Sequence, residues 1–98
     1  MTLQQLYTDL LSKYKHADTK MHELRDAAED EYNEAMRFDS MRDWESADEH
    51  YALYDDYTEE ADQWEKERDA YDDMMAGLRK VKDAQEALGW NITLEVEA

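Results

Sequence analysis

The chain has 98 residues, with 27 acidic against 11 basic side chains, a formal charge of −16, and neither cysteine nor proline. That length allows one small domain. The lack of cysteine excludes disulfides and thiolate chemistry, and the charge makes nucleic acid and anionic membranes poor partners but a basic protein surface a good one.

A mean hydropathy of −1.09 raises the question of disorder. Eleven aromatic residues and a sustained periodicity argue for a fold instead. The stretch from Met1 to Lys15 has no basic start followed by an apolar core, so no signal peptide is expected and the cytoplasm is the expected location. No apolar run approaches the length of a membrane span.

Thr2-Leu-Gln-Gln5 reads as a capping box that opens helix 1, expected over about residues 3–38. Leu3, Leu10, Ala17, Leu24, Glu31 and Phe38 form one set of heptad positions. Tyr7, Tyr14, Met21, Ala28 and Ala35 form the other. Only Glu31 breaks this seam. Residues 39–42 read as a turn, with Asp39 or Ser40 as the cap of helix 2 and Asp43 and Glu45 suited to its first turn.

Helix 2 is expected over about residues 43–88. Its seam reads Trp44, Ala47, Tyr51, Tyr54, Tyr57, Ala61, Trp64, Arg68, Tyr71, Met75 and Leu78, and continues through Val81, Ala84 and Leu88 to a C-cap at Gly89. Gly77 is a soft point at which this helix could bend or stop. Trp90, Ile92, Leu94 and Val96 alternate with polar residues, a strand pattern over residues 90–96.

Folding back at the turn places Leu3 opposite Leu78 and Ala17 opposite Trp64, with residue numbers summing to 81, and Met21 opposite Ala61 and Ala28 opposite Tyr54, summing to 82. The same register sets Glu31 near His50 or Tyr51, and Arg68 beside the Tyr14 ring. The expected fold is therefore all-α: a long antiparallel, coiled-coil-like helical hairpin with a short C-terminal β-strand, in one domain over residues 1–98. A two-helix seam buries little surface for its length, and a lone strand leaves its backbone groups unpaired. A homodimer is expected, held through Val81, Ala84, Leu88, Trp90, Ile92, Leu94 and Val96.

Residues 26–76 hold twenty acids and four bases, so the whole excess lies in mid-sequence. Residues 43–73 carry a net −12 over about 46 Å of helix, one charge per roughly 4 Å. One strand of a DNA duplex carries one per roughly 3.4 Å. A rigid seam inside such charge holds carboxylates where phosphates would stand. The candidate phosphate substitutes are Asp55, Asp56, Glu59, Glu60, Asp62, Glu65, Glu67, Asp69, Asp72 and Asp73, with Glu29, Asp30, Glu34, Asp48 and Glu49 beside them.

No cofactor or metal is expected. The Glu-x-x-His pair of di-iron bundles is absent: Lys13, Thr19 and Ala47 precede His16, His22 and His50 by three residues. No calcium loop, phosphate loop or nucleophile elbow occurs, and catalysis is not expected.

In composition and charge placement over residues 26–76 the chain resembles phage-encoded acidic DNA-mimic inhibitors of host defence, including antirestriction, anti-CRISPR and recombination-nuclease inhibitors. No motif is shared, so no residue role carries over. The resemblance implies a non-enzymatic protein in the cytoplasm of a bacterial host. It would block the nucleic-acid-binding surface of a basic protein such as a restriction enzyme, a CRISPR effector or a recombination nuclease, without binding nucleic acid itself. The competing reading is a structural or adaptor coiled coil that binds through its helical seam or C-terminal strand.

Overall fold

The computed structural model describes residues 2–89, which form two helices, α1 (Leu3–Ser40) and α2 (Trp44–Leu88). The expected strand over 90–96, with Trp90, Ile92, Leu94 and Val96, lies outside the described residues. The molecule is an extended rod measuring 69 × 25 × 13 Å. Its radius of gyration is 20.9 Å, against about 13 Å for a compact chain of this size. At 1.5 Å per residue, the 45 residues of α2 span the full length of the rod.

Both ends of α1 follow from local chemistry. The Thr2 hydroxyl accepts from the Gln5 N–H at 3.1 Å, and the Thr2 N–H donates to Gln5 Oε1 at 2.8 Å, closing the expected capping box. At the other end α1 runs two residues past Phe38. Ser40 does not cap α2; its hydroxyl donates back to the Met36 carbonyl at 2.9 Å.

The reversal needs one left-handed residue, Arg42, at φ 58°. The Asp43 N–H then closes onto the Phe38 carbonyl at 2.9 Å. Asp43, expected inside the first turn of α2, is its N-cap and accepts from the Ser46 N–H at 3.2 Å. The helix passes through Gly77 and ends at Gly89, whose φ of 68° suits a residue without Cβ.

The predicted seam is the contact between the helices. Every heptad position named from Leu3 to Phe38 and from Ala47 to Leu78 is buried or half-buried. Small residues make its centre: Ala17, Ala35 and Ala61 are fully shielded from solvent. Leu10, Met21, Ala28, Ala47 and Met75 complete the buried set. The aromatics Tyr14, Tyr51, Tyr54, Tyr57, Trp64 and Tyr71 are only half-buried, as suits side chains with an apolar body and a polar group. An alanine spine thus sets a close spacing where Ala17 meets Trp64 and Ala28 meets Tyr54, while Tyr71 lies in register with the larger, buried Leu10.

Cross-helix contacts agree with the register. Trp64 meets His16 edge-on at 5.5 Å, and Tyr32 lies 5.4 Å from Tyr54 and 6.0 Å from Tyr51. Glu31, the charge within the α1 seam, contacts His50 Nδ1 at 2.5 Å. The Arg68 guanidinium reaches the Asp18 carboxylate at 3.0 Å instead of stacking on Tyr14, because a carboxylate offers it a charge-assisted bond.

Two seam assignments change. Trp44, which the register sets opposite Phe38, is 59% exposed. Val81, Ala84 and Leu88 do not extend the hairpin seam. The heptad continuation past Leu78 falls on Lys82 and Gln85, while Val81, Ala84 and Leu88 are exposed on another side of α2.

Candidate partner-binding surface

The register converts the acidic mid-sequence into a gradient along the rod. Residues 26–56 fold onto themselves about the turn and hold twelve acids and two bases, a net −10. They occupy about 22 Å of the rod, one charge per roughly 2 Å. A DNA duplex carries one per roughly 1.7 Å with both strands counted. Farther from the turn, residues 57–73 lie against residues 9–25, and the net charge there is −5 over about 25 Å. The acidic half read from the sequence thus has a dense turn-side block and a thinner continuation along α2.

Ten of the fifteen candidate acids are exposed and make no side-chain ion pair or hydrogen bond: Glu29, Asp30, Asp48, Glu49, Asp55, Asp56, Glu59, Glu60, Asp72 and Asp73. The other five are engaged. Arg25 NH2 reaches Asp62 at 3.2 Å and Glu65 at 3.1 Å from across the hairpin. Arg68 holds Asp69 at 3.2 Å, Arg37 holds Glu34 at 2.8 Å, and Glu67 accepts from the Tyr71 hydroxyl at 2.7 Å. The four engaged α2 acids lie in the thinner continuation, where α1 supplies bases. Among the residues forming the turn-side block, Glu34 and Glu31 are ion-paired, and Asp43 accepts the Ser46 N–H.

The charge alters nearby groups. The Tyr51 phenol is held above its ordinary pKa first by desolvation and then by Asp39, Tyr32 and Asp48. Tyr71 is raised first by its hydrogen bond to Glu67, then by desolvation, Glu67 and Asp9. The Asp18 bond likewise raises Arg68, against a smaller opposing desolvation.

The seam reading missed an apolar feature at the tip. Met41 and Trp44 expose 58% and 59% of their surfaces, one on each side of Arg42 and Asp43. Large apolar side chains at that exposure, rimmed by Asp39, Asp43, Glu45 and Asp48, have the form of an interface anchor. Trp44 starts the second heptad series, and that pattern hid its exposure. The signal that could have found it is its place as the first helical residue after the turn.

Among the described residues no group of three or more His, Asp or Glu side chains could hold a metal ion, and no helix is long and apolar enough to cross a membrane. A groove of about 260 Å³ near the termini is lined by Leu3, Gln4, Tyr7, Leu78, Arg79 and Lys82. Arg79 donates to the Tyr7 hydroxyl there at 3.1 Å. No known family matches the chain, and no curated protein or solved structure matches it significantly.

Proposed function

We propose that the protein is a non-enzymatic DNA mimic. Its acidic end occupies the nucleic-acid-binding surface of a basic protein that processes or defends DNA, such as a restriction enzyme, a CRISPR effector or a recombination nuclease. The observation that carries this reading is the turn-side block, with a net −10 at close to duplex charge density on a rigid hairpin. Mobile acidic tails do not hold charges at fixed spacing. Here the alanine spine and the half-buried aromatics do.

Glu29, Asp30, Asp48, Glu49, Asp55, Asp56, Glu59 and Glu60 act as the main phosphate substitutes, with Asp72 and Asp73 extending the track. Met41 and Trp44 add apolar anchorage at the tip. The reading includes cytoplasmic action in a bacterial host and assembly as a homodimer at the end carrying both termini, with residues 90–96 as a short strand.

The test is capture of partners from a bacterial lysate on immobilised protein, with and without competing duplex DNA. Basic nucleic-acid-binding proteins are retained, and the duplex displaces them. Binding weakens steeply with salt, because exposed charges are screened within about 8 Å at physiological ionic strength. Reversing Asp55, Asp56, Glu59 and Glu60 together to lysine abolishes capture while circular dichroism stays helical. Undiminished capture by that variant would refute the decoy. Retention of one neutral protein indifferent to DNA would favour the adaptor.

A further inference from the structure

The C-terminal part of α2 carries a second seam that the hairpin does not use. Ala70, Met74, Gly77, Val81, Ala84 and Leu88 succeed one another at spacings alternating between four and three. Ala70, Met74 and Gly77 each stand one residue before a hairpin-seam position, Tyr71, Met75 and Leu78. The stripe therefore lies about 100° round the helix from α1. All six residues are exposed, and no charge interrupts them.

Gly77 has no role in the hairpin. Glycine is among the least favourable residues in a helix interior. A Cβ added at Gly77 would meet nothing within 4 Å, and its φ is not left-handed. The fold of one chain gives no reason for a glycine there. Close approach by a second backbone does.

We propose that this stripe is a homodimer interface in which two α2 helices pair antiparallel about a two-fold axis beside residue 79. In that alignment Ala70 faces Leu88 of the second copy, Met74 faces Ala84, and Gly77 faces Val81. Every layer sets a small residue against a large one, as close packing requires. A parallel pairing would set Met74 on Met74 and Gly77 on Gly77, alternating clashes with voids.

Charge selects the same direction. The antiparallel pair sends the two acidic turns to opposite ends, about 110 Å apart, many screening lengths at physiological salt. A parallel pair would lay two net −10 blocks side by side. Near the axis, Arg79, Lys80 and Lys82 are nearly balanced by Asp83 and Glu86.

The interface rests on the homodimer in the reading above and not on decoy activity. Mass reports the one and partner capture the other, so each can fail alone. The test uses the full chain, whose lack of cysteine gives a silent background. Single variants Gly77→Cys and Val81→Cys are oxidised separately and as a mixture. A disulfide-linked dimer forms in the mixture and not in either variant alone. Light scattering gives twice the 11.7 kDa chain mass for the unmodified protein. Gly77→Lys, which adds a cation beside Lys80 where the hairpin has open space, loses the dimer and keeps its helicity. Cross-linking of each variant with itself would overturn the antiparallel alignment. A monomeric mass for the unmodified chain, as expected if residues 90–98 cover the stripe themselves, would overturn the interface.

Discussion

His50 Nδ1 of α2 meets Glu31 Oε2 of α1 at 2.5 Å inside the hairpin seam, at side-chain exposures of 27% and 23%. Phe38 stacks on the same imidazole at 5.3 Å. The polar break in the α1 heptad is thus matched by a polar residue on the facing helix. Glu31→Ala leaves His50 without its partner and lowers stability by about 1 kcal/mol. Replacing both residues by leucine leaves stability unchanged or raises it, because an apolar layer substitutes for a partly desolvated polar pair. Urea unfolding of Glu31→Leu, His50→Leu and the double variant measures the coupling. Additive single effects would remove the pairing.

The alanine spine makes a sharper claim. Ala61 is fully shielded and lies in register with buried Met21. Ala61→Leu forces the helices apart and costs about 1–3 kcal/mol. The same substitution at exposed Ala70 leaves chain stability near its original value. Thermal melts of the two variants in a background carrying Gly77→Lys separate hairpin packing from dimerisation.

The turn is strained at one residue. Arg42 holds a φ of 58° without glycine's freedom. Arg42→Gly relieves that conformation, and we expect a gain of up to about 1 kcal/mol, offset in part by glycine's extra unfolded-state entropy. Asp43→Ala removes the α2 cap and costs about 1 kcal/mol. Urea midpoints moving in opposite directions for the two variants check this pair.

Alkaline pH bears on Tyr51 and Tyr71. Both phenols are raised in the fold, so the folded chain holds their protons at pH values where the unfolded chain has lost them. Their contribution is complete below the ordinary tyrosine range and is lost as pH climbs through the raised values. Absorbance titration of tyrosinate shows late-titrating phenols. Tyr71→Phe removes one of them.

Much of the hairpin is legible in residue order because its determinants are local or periodic. Thr2 and Gln5 sit three apart and cap as written; Gly89 ends α2 as written. The seam from Leu3 to Leu78 follows from heptad spacing, and the register follows from a short turn. Three features escaped for physical reasons. Asp39, Ser40 and Asp43 are all competent caps, and only the closure of Asp43 N–H onto the Phe38 carbonyl selects Asp43. Val81, Ala84 and Leu88 read as part of the hairpin seam because each step remains three or four residues, and only the run of threes from Met75 to Ala84 marks the change of stripe. Among the engaged candidate acids, Glu34, Glu67 and Asp69 are held by neighbours on their own helix, whereas the contact of Arg25 with Asp62 and Glu65 crosses the hairpin and needs the register in three dimensions.

The uneven distribution of charge along the rod also makes it a directional object in an external field. A uniformly charged rod near a positive surface is pulled without preference for either end. This one experiences a torque, because the pull acts mainly beyond Ala28 and Tyr54, far from its geometric centre. It therefore swings tip-first during approach, and Met41 and Trp44 arrive ahead of the rest of the molecule.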